Sequence, residues 1–142
     1  MGAVAFHSGV ADKLGYTCRL VRKAWRQGQR VLVTGSPEQL ARLDALLWSF
    51  EASEFLPHLR VMAGAAMSPL LARTPVLLAD QVDDCGPADV LVNLGPAFVE
   101  SQGEFARVIE VVASSDEDVQ HGRRRWRQYV AQGSAPTNHA AG

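Results

Sequence analysis

The sequence predicts an α/β domain with a mostly parallel central sheet flanked by helices, on three observations. Short β-branched runs of the kind buried strands need recur along the chain: RVLVT at 30–34, PVLLAD at 75–80 and DVLVNL at 89–94. Between and around them stand stretches whose apolar residues return every three or four positions, as on a one-faced helix. Strands alternating with helices make a parallel sheet with both faces covered. The arrangement is Rossmann-like but lacks the dinucleotide fingerprint, since no GxGxxG occurs.

The first strand is predicted at 3–7, which alternates around Val4 and Phe6. From 10 to 26, Leu14, Cys18, Val21 and Trp25 share one helical face, so Trp25 is expected to be largely buried. Gly28 ends that helix. After the strand at 30–34, Gly35 turns the chain, and Ser36 followed by Pro37 starts a second helix to about Trp48 with Leu40, Leu43 and Leu47 inward. Residues 50–74, broken by Pro57, Gly64 and Pro69, read as a long connection with a short strand near 59–62. Two further strands at 75–80 and 89–94 precede one at 108–112, and a last helix runs from about Ser115 to Ala131.

With 142 residues the chain has room for one core and not two. Residues 1–133 are read as the domain and the small, polar 134–142 as a flexible C-terminal tail. No apolar run approaches the ~18 residues of a membrane span, and no basic, then apolar leader opens the chain. A cytoplasmic protein without membrane contact is the expectation. The net charge of −1 does not mark the whole molecule as a polyanion binder, although local patches act by where charges sit.

Motifs for chemistry are sparse. The turn Thr34, Gly35, Ser36 joins a strand to a helix N-terminus and could cradle a phosphate, which would make the chain a nucleotide-binding or phosphotransfer enzyme. Yet GxxxxGK[ST] is absent and Pro37 removes a donor, so a plain βα turn explains it better. Asp80, Asp83, Asp84 and Asp89 follow no cation-loop spacing. Cys18 and Cys85 form no CxxC and suit small core positions. His7, His58, His121 and His139 are scattered outside any nucleophile motif. Neither cofactor nor metal is expected.

Two surfaces carry more information. In the last helix Asp116, Glu117 and Asp118 open the first turn, while Arg123, Arg124, Arg125 and Arg127 crowd the second half, both in keeping with the helix dipole. Val119, Gly122, Trp126, Tyr129 and Val130 form its apolar stripe. Arg123 beside Trp126 can clamp a carboxylate while the ring lines an apolar pocket, which suits an acidic peptide with a hydrophobic end. Direct nucleic-acid binding by these arginines is less well supported, because one tryptophan is no repeated stacking platform. The second surface holds Trp48, Phe50 and Phe55 in a loop after a helix, either capping the core or anchoring a partner.

These residues also carry a family resemblance. Asp12-Lys13-Leu14-Gly15-Tyr16 through Arg22-Lys23-Ala24, and then Gly28-Gln29-Arg30-Val31-Leu32-Val33, resemble the amino-terminal helix and second strand of the chi subunit of bacterial DNA polymerase III holoenzyme. Leu43-Asp44-Ala45-Leu46-Leu47-Trp48, Phe55-Leu56-Pro57-His58, Asp89-Val90-Leu91-Val92-Asn93-Leu94 and the pattern of Arg123, Arg125, Trp126, Arg127 and Tyr129 followed by Gly133 continue it in order over roughly residues 3–139. The resemblance implies a non-catalytic adaptor that links the clamp-loader complex, through the partner psi, to the acidic, Pro-Phe-ended tail of single-stranded DNA-binding protein, with DNA reached only through these partners. It places Arg123 and Trp126 in the tail site, with Arg124 and Arg127 as supporting charges. Trp48 and Phe55 fall on the psi-facing surface, with Phe50 between them. Val119 stands where other members carry a lysine or arginine, so one charge contact is absent.

Overall fold

A computed structural model describes residues 2–49, 55–64 and 68–141, with the backbone alone at Asp84. Seven strands, β1 (Ala3–Val10), β2 (Val31–Thr34), β3 (His58–Val61), β4 (Val76–Ala79), β5 (Val90–Asn93), β6 (Arg107–Ala113) and β7 (Thr137–Ala140), form one sheet in the order β3-β4-β2-β5-β6-β1-β7. Every pairing in it is parallel. The helices are α1 (Lys13–Arg26), α2 (Pro37–Ser49), α3 (Pro69–Arg73) and α4 (Asp116–Ala131). The period-two alternation of the strands divides the core. Val31, Val33, Val90 and Val92 meet Cys18, Val21, Leu40 and Leu43 of α1 and α2 on one face. Leu32, Leu77, Leu91 and Val108 meet Leu71 of α3 and Tyr129 of α4 on the other.

The sequence reading is refined at four places. Within the described part of 50–74, β3 is accompanied by the single-turn-scale helix α3, which opens on a Ser68 cap and Pro69. Trp25 is half-buried at the rim of the core, whereas Cys18 and Val21 on the same stripe are fully buried. In place of the expected flexible tail at 134–142, β7 pairs along the outer edge of β1, matching Ala5 with Thr137 and His7 with His139. All four β7 residues are exposed, so backbone pairing rather than apolar burial holds the strand. Arg125, grouped from sequence with the basic residues of the last helix's second half, is wholly buried.

That arginine fixes α4 on the sheet. Its Nε donates to Glu110 Oε1 at 2.7 Å. Glu110 Oε2 accepts from the Tyr129 hydroxyl at 2.6 Å and from Asn93 Nδ2 at 3.3 Å. Burial pushes the Glu110 carboxyl up, opposed by the Arg125 charge and by the three donors. Nη1 of Arg125 also donates to the Pro96 carbonyl at 3.3 Å. The guanidinium lies so close over Gly95 that a Cβ there would stand 2.5 Å from Nη1, and φ is +73° besides, so only glycine serves. At the start of α4, Asp118 Oδ2 accepts from Lys13 Nζ at 2.8 Å and from the Ala113 N–H at 2.6 Å, tying α4 to α1 and to the end of β6.

Because Glu110 is fully buried in the sheet, removing its charged partner strands a carboxylate, and Arg125→Ala should destabilise the fold by about 3–5 kcal/mol. Urea unfolding measures it. A loss under ~1 kcal/mol would mean that the guanidinium does not balance the carboxylate.

Candidate functional site

α4 lies over β6 with its small residue inward: a Cβ on Gly122 would fall 2.9 Å from Val112 Cγ2. That close approach leaves a recess of about 460 Å³ between the helix and the β1–β7 edge, lined by Phe6, Ser8, Val112, Val119, Gly122, Arg123, Trp126 and Asn138. Phe6 meets Trp126 edge-on with ring centroids 5.1 Å apart, so the half-buried indole is steadied from below. Arg123 is exposed at the rim, and among the described residues no carboxylate pairs with it. The recess thus combines an apolar floor with one free guanidinium.

Of the sequence-derived residues, Arg123, Trp126 and Val119 are brought together here, whereas Arg124 and Arg127 are exposed and outside the lining. Phe6, Ser8, Val112 and Asn138 were not picked out from sequence. Alternation in β1 places Phe6 and Ser8 on one face, a signal available in the chain. Asn138 had none, because β7 carries no apolar pattern.

A second surface gathers aromatics at the end of α2. Trp48 is 60% exposed and Phe55 63% exposed. Their ring centroids lie 5.4 Å apart, and the Trp48 ring packs, tilted by 56°, with its centroid 4.6 Å from that of His58. His58 is buried: Nδ1 bonds the Leu56 carbonyl at 2.7 Å and Nε2 faces Asp44 at 3.2 Å, slightly off a hydrogen-bond direction. The imidazole therefore supports the exposed pair from inside. Phe50, assigned to the same surface from sequence, lies outside the described residues.

The turn 34–36 opens on a crevice of about 440 Å³ beyond the carboxyl ends of β2, β4 and β5. Connections leave β2 and β5 toward opposite sides of the sheet, and such a switch point is where α/β folds commonly hold ligands. Its chemistry opposes phosphate. Asp80, Asp83 and Glu100 line it and no lysine or arginine does. The Ser36 N–H donates to Gln39 Oε1 at 2.8 Å and the Gln39 N–H to Ser36 Oγ at 3.2 Å, so two of the donors at the start of α2 are already spent. Asp80 is paired with Arg60 at 2.5 Å, and Asp89 accepts from the Arg30 N–H at 2.7 Å. Among the described residues no three His, Cys, Asp or Glu side chains gather as a metal site. Both cysteines are buried, and burial pushes the Cys18 thiol up to about 11, far from a nucleophile's range. No helix among the described residues is long and apolar enough to cross a membrane.

The family model and the curated relatives point to one family. The family model described as DNA polymerase III chi subunit, HolC, matches residues 1–137. The chain is 34% identical over 131 residues to the DNA polymerase III subunit chi of Pseudomonas aeruginosa, covering 89% of this chain and 85% of that one. It is 31% identical over 118 residues to the Escherichia coli protein of the same name, covering 82% and 77%. The C-terminal domain of the DEAD-box protein Dbp5 shares the fold with a TM-score of 0.68 over 99% of this chain and 90% of that chain, and at 11% identity the likeness is one of fold alone. A match over nearly the whole sequence, with relatives above 30% identity across most of its length, places the chain in the DNA polymerase III chi subunit family, a family of DNA replication.

Proposed function

We propose that this chain is a non-catalytic adaptor of the DNA polymerase III holoenzyme that works in the cytoplasm and joins the clamp-loader complex to single-stranded DNA-binding protein by holding that protein's acidic C-terminal tail. The α4 recess carries the reading. A peptide ending in an aromatic residue brings an apolar ring and a terminal carboxylate into one small volume. Phe6, Val112, Val119 and Trp126 suit the ring, and Arg123 at the rim suits the carboxylate with two parallel hydrogen bonds. Arg124 and Arg127 add attraction from farther out, screened by salt. In this reading the tail contact reaches DNA only through the bound partner, and no bound cofactor takes part.

The exposed Trp48–Phe55 pair is the second contact, for psi or another clamp-loader component. Two stacked aromatics raised on a buried histidine make a compact apolar anchor of the sort that dominates protein interfaces. The two surfaces lie on α4 and at the end of α2, so occupation of one leaves the other open.

Calorimetric titration with an acidic peptide ending in Pro-Phe tests the first contact. Arg123→Ala removes a charge-assisted bond worth roughly 1.5–3 kcal/mol, so affinity should drop about ten-fold or more. Val119→Arg restores a cation beside the recess and should tighten binding. Unchanged affinity in both variants would move the tail elsewhere on the protein. For the second contact, Phe55→Ala should stay within ~0.5 kcal/mol of the parent in urea melts, since the ring is exposed, and should lose capture of psi. Early melting with capture intact would make Phe55 a core residue only.

A further inference from the structure

Charge is spread unevenly over this molecule. α1 carries Lys13, Arg19, Arg22, Lys23 and Arg26 and no acidic residue, in a chain of net charge −1. Lys13 is spent on Asp118, and the helix dipole accounts for Lys23 and Arg26 near the C-terminus. Arg19 is not explained that way. It stands one turn from Lys23 as a like-charge neighbour, an arrangement that weakens a helix.

Further cationic and polar side chains of the sheet lie beside α1, in two groups. Lys23, Gln27 and Arg107, the first residue of β6, share a cavity of about 100 Å³. His7 on β1 faces His139 on β7, with ring centroids 5.4 Å apart. His7 Nδ1 is hydrogen-bonded to the Tyr16 hydroxyl, and the Arg19 guanidinium lies over the Tyr16 ring, 5.9 Å from its centroid. Burial, then His139, then Arg107 all push the His7 imidazole down, as a positive neighbourhood must. The acid flanking this helix, Asp12, turns Oδ1 onto the Gly15 N–H at 3.1 Å. No carboxylate pairs with Arg19, Lys23 or Arg107 among the described residues.

We propose that this face, with Arg19, Lys23 and Arg107 as its fixed charges and Tyr16, His7 and His139 between them, binds the phosphodiester backbone of single-stranded nucleic acid directly. Three permanent cations on two elements, with Arg19 and Lys23 about 6 Å apart along the helix axis, suit a repeating charge better than one terminal carboxylate. The family's place in DNA replication brings such a strand within reach. The face is separate from the α4 recess, so the proposal stands or falls independently of the tail reading.

The test is fluorescence anisotropy of a labelled oligothymidine with the full chain. Three phosphate contacts predict a logarithmic salt slope of about −2, and thus a roughly ten- to twenty-fold loss of affinity between about 50 and 200 mM salt. The double variant Lys23→Gln, Arg107→Gln should weaken the oligonucleotide at least about ten-fold further and leave the Pro-Phe peptide unaffected, while Arg123→Ala does the reverse. Arg19→Gln gives an independent check should the double variant fold poorly. No binding by the parent chain at low salt overturns the proposal, as does a loss that follows Arg123, Arg124 and Arg127 instead. Tighter, competing binding of poly-glutamate would assign the face to an acidic protein and overturn it equally.

Discussion

A carboxylate in the middle of a parallel sheet is a demand on everything around it. Glu110 belongs to β6, is closed off from water, and is stable there only because α4 delivers Arg125 and Tyr129 while β5 delivers Asn93. This requirement sets the rotation of α4 about its own axis, because Arg125 and Tyr129 are one turn apart and must both point down. Once those two face the sheet, Gly122 and Trp126 fall beside Val112 and Phe6, and Arg123 falls at the rim. The recess is therefore a by-product of satisfying one buried charge. Apolar residues in place of the whole Glu110–Arg125 pair could pack as well, whereas removing Glu110 alone would strand a buried guanidinium, so the two residues hold α4 in this rotation only together.

Much of the architecture was legible in the chain. The runs that became β2, β4 and β5 were plain because central strands in a parallel sheet are buried on both faces and are apolar throughout. α1, α2 and α4 announced themselves through spacing, and α2 also through its Ser36 cap. β7 was invisible, since an edge strand joined by its backbone needs no side-chain pattern. Arg125 was misplaced for a related reason: sequence shows that an arginine is charged, and nothing local tells that a glutamate fifteen residues earlier awaits it. Trp25 sat on the right stripe but near its end, where the helix runs past the core.

The candidate surfaces were legible only in part. Arg123 and Trp126 could be paired from helical spacing, but the floor and far wall of the recess come from β1, β6 and β7, which meet α4 through tertiary structure. Trp48 and Phe55 stood out as large aromatics in a loop. Their exposure, and the buried His58 beneath them, required the packing of α2 against β3.

The acid-lined crevice at the switch point has a consequence for life beside a replication fork. Deoxynucleoside triphosphates are the fuel of that environment, and the switch point of an α/β scaffold is where such ligands commonly bind. With Asp83 and Glu100 around it, Asp80 paired with Arg60, and the donors of Ser36 and Gln39 turned upon each other, the hollow presents a phosphate with no free cation among the described residues.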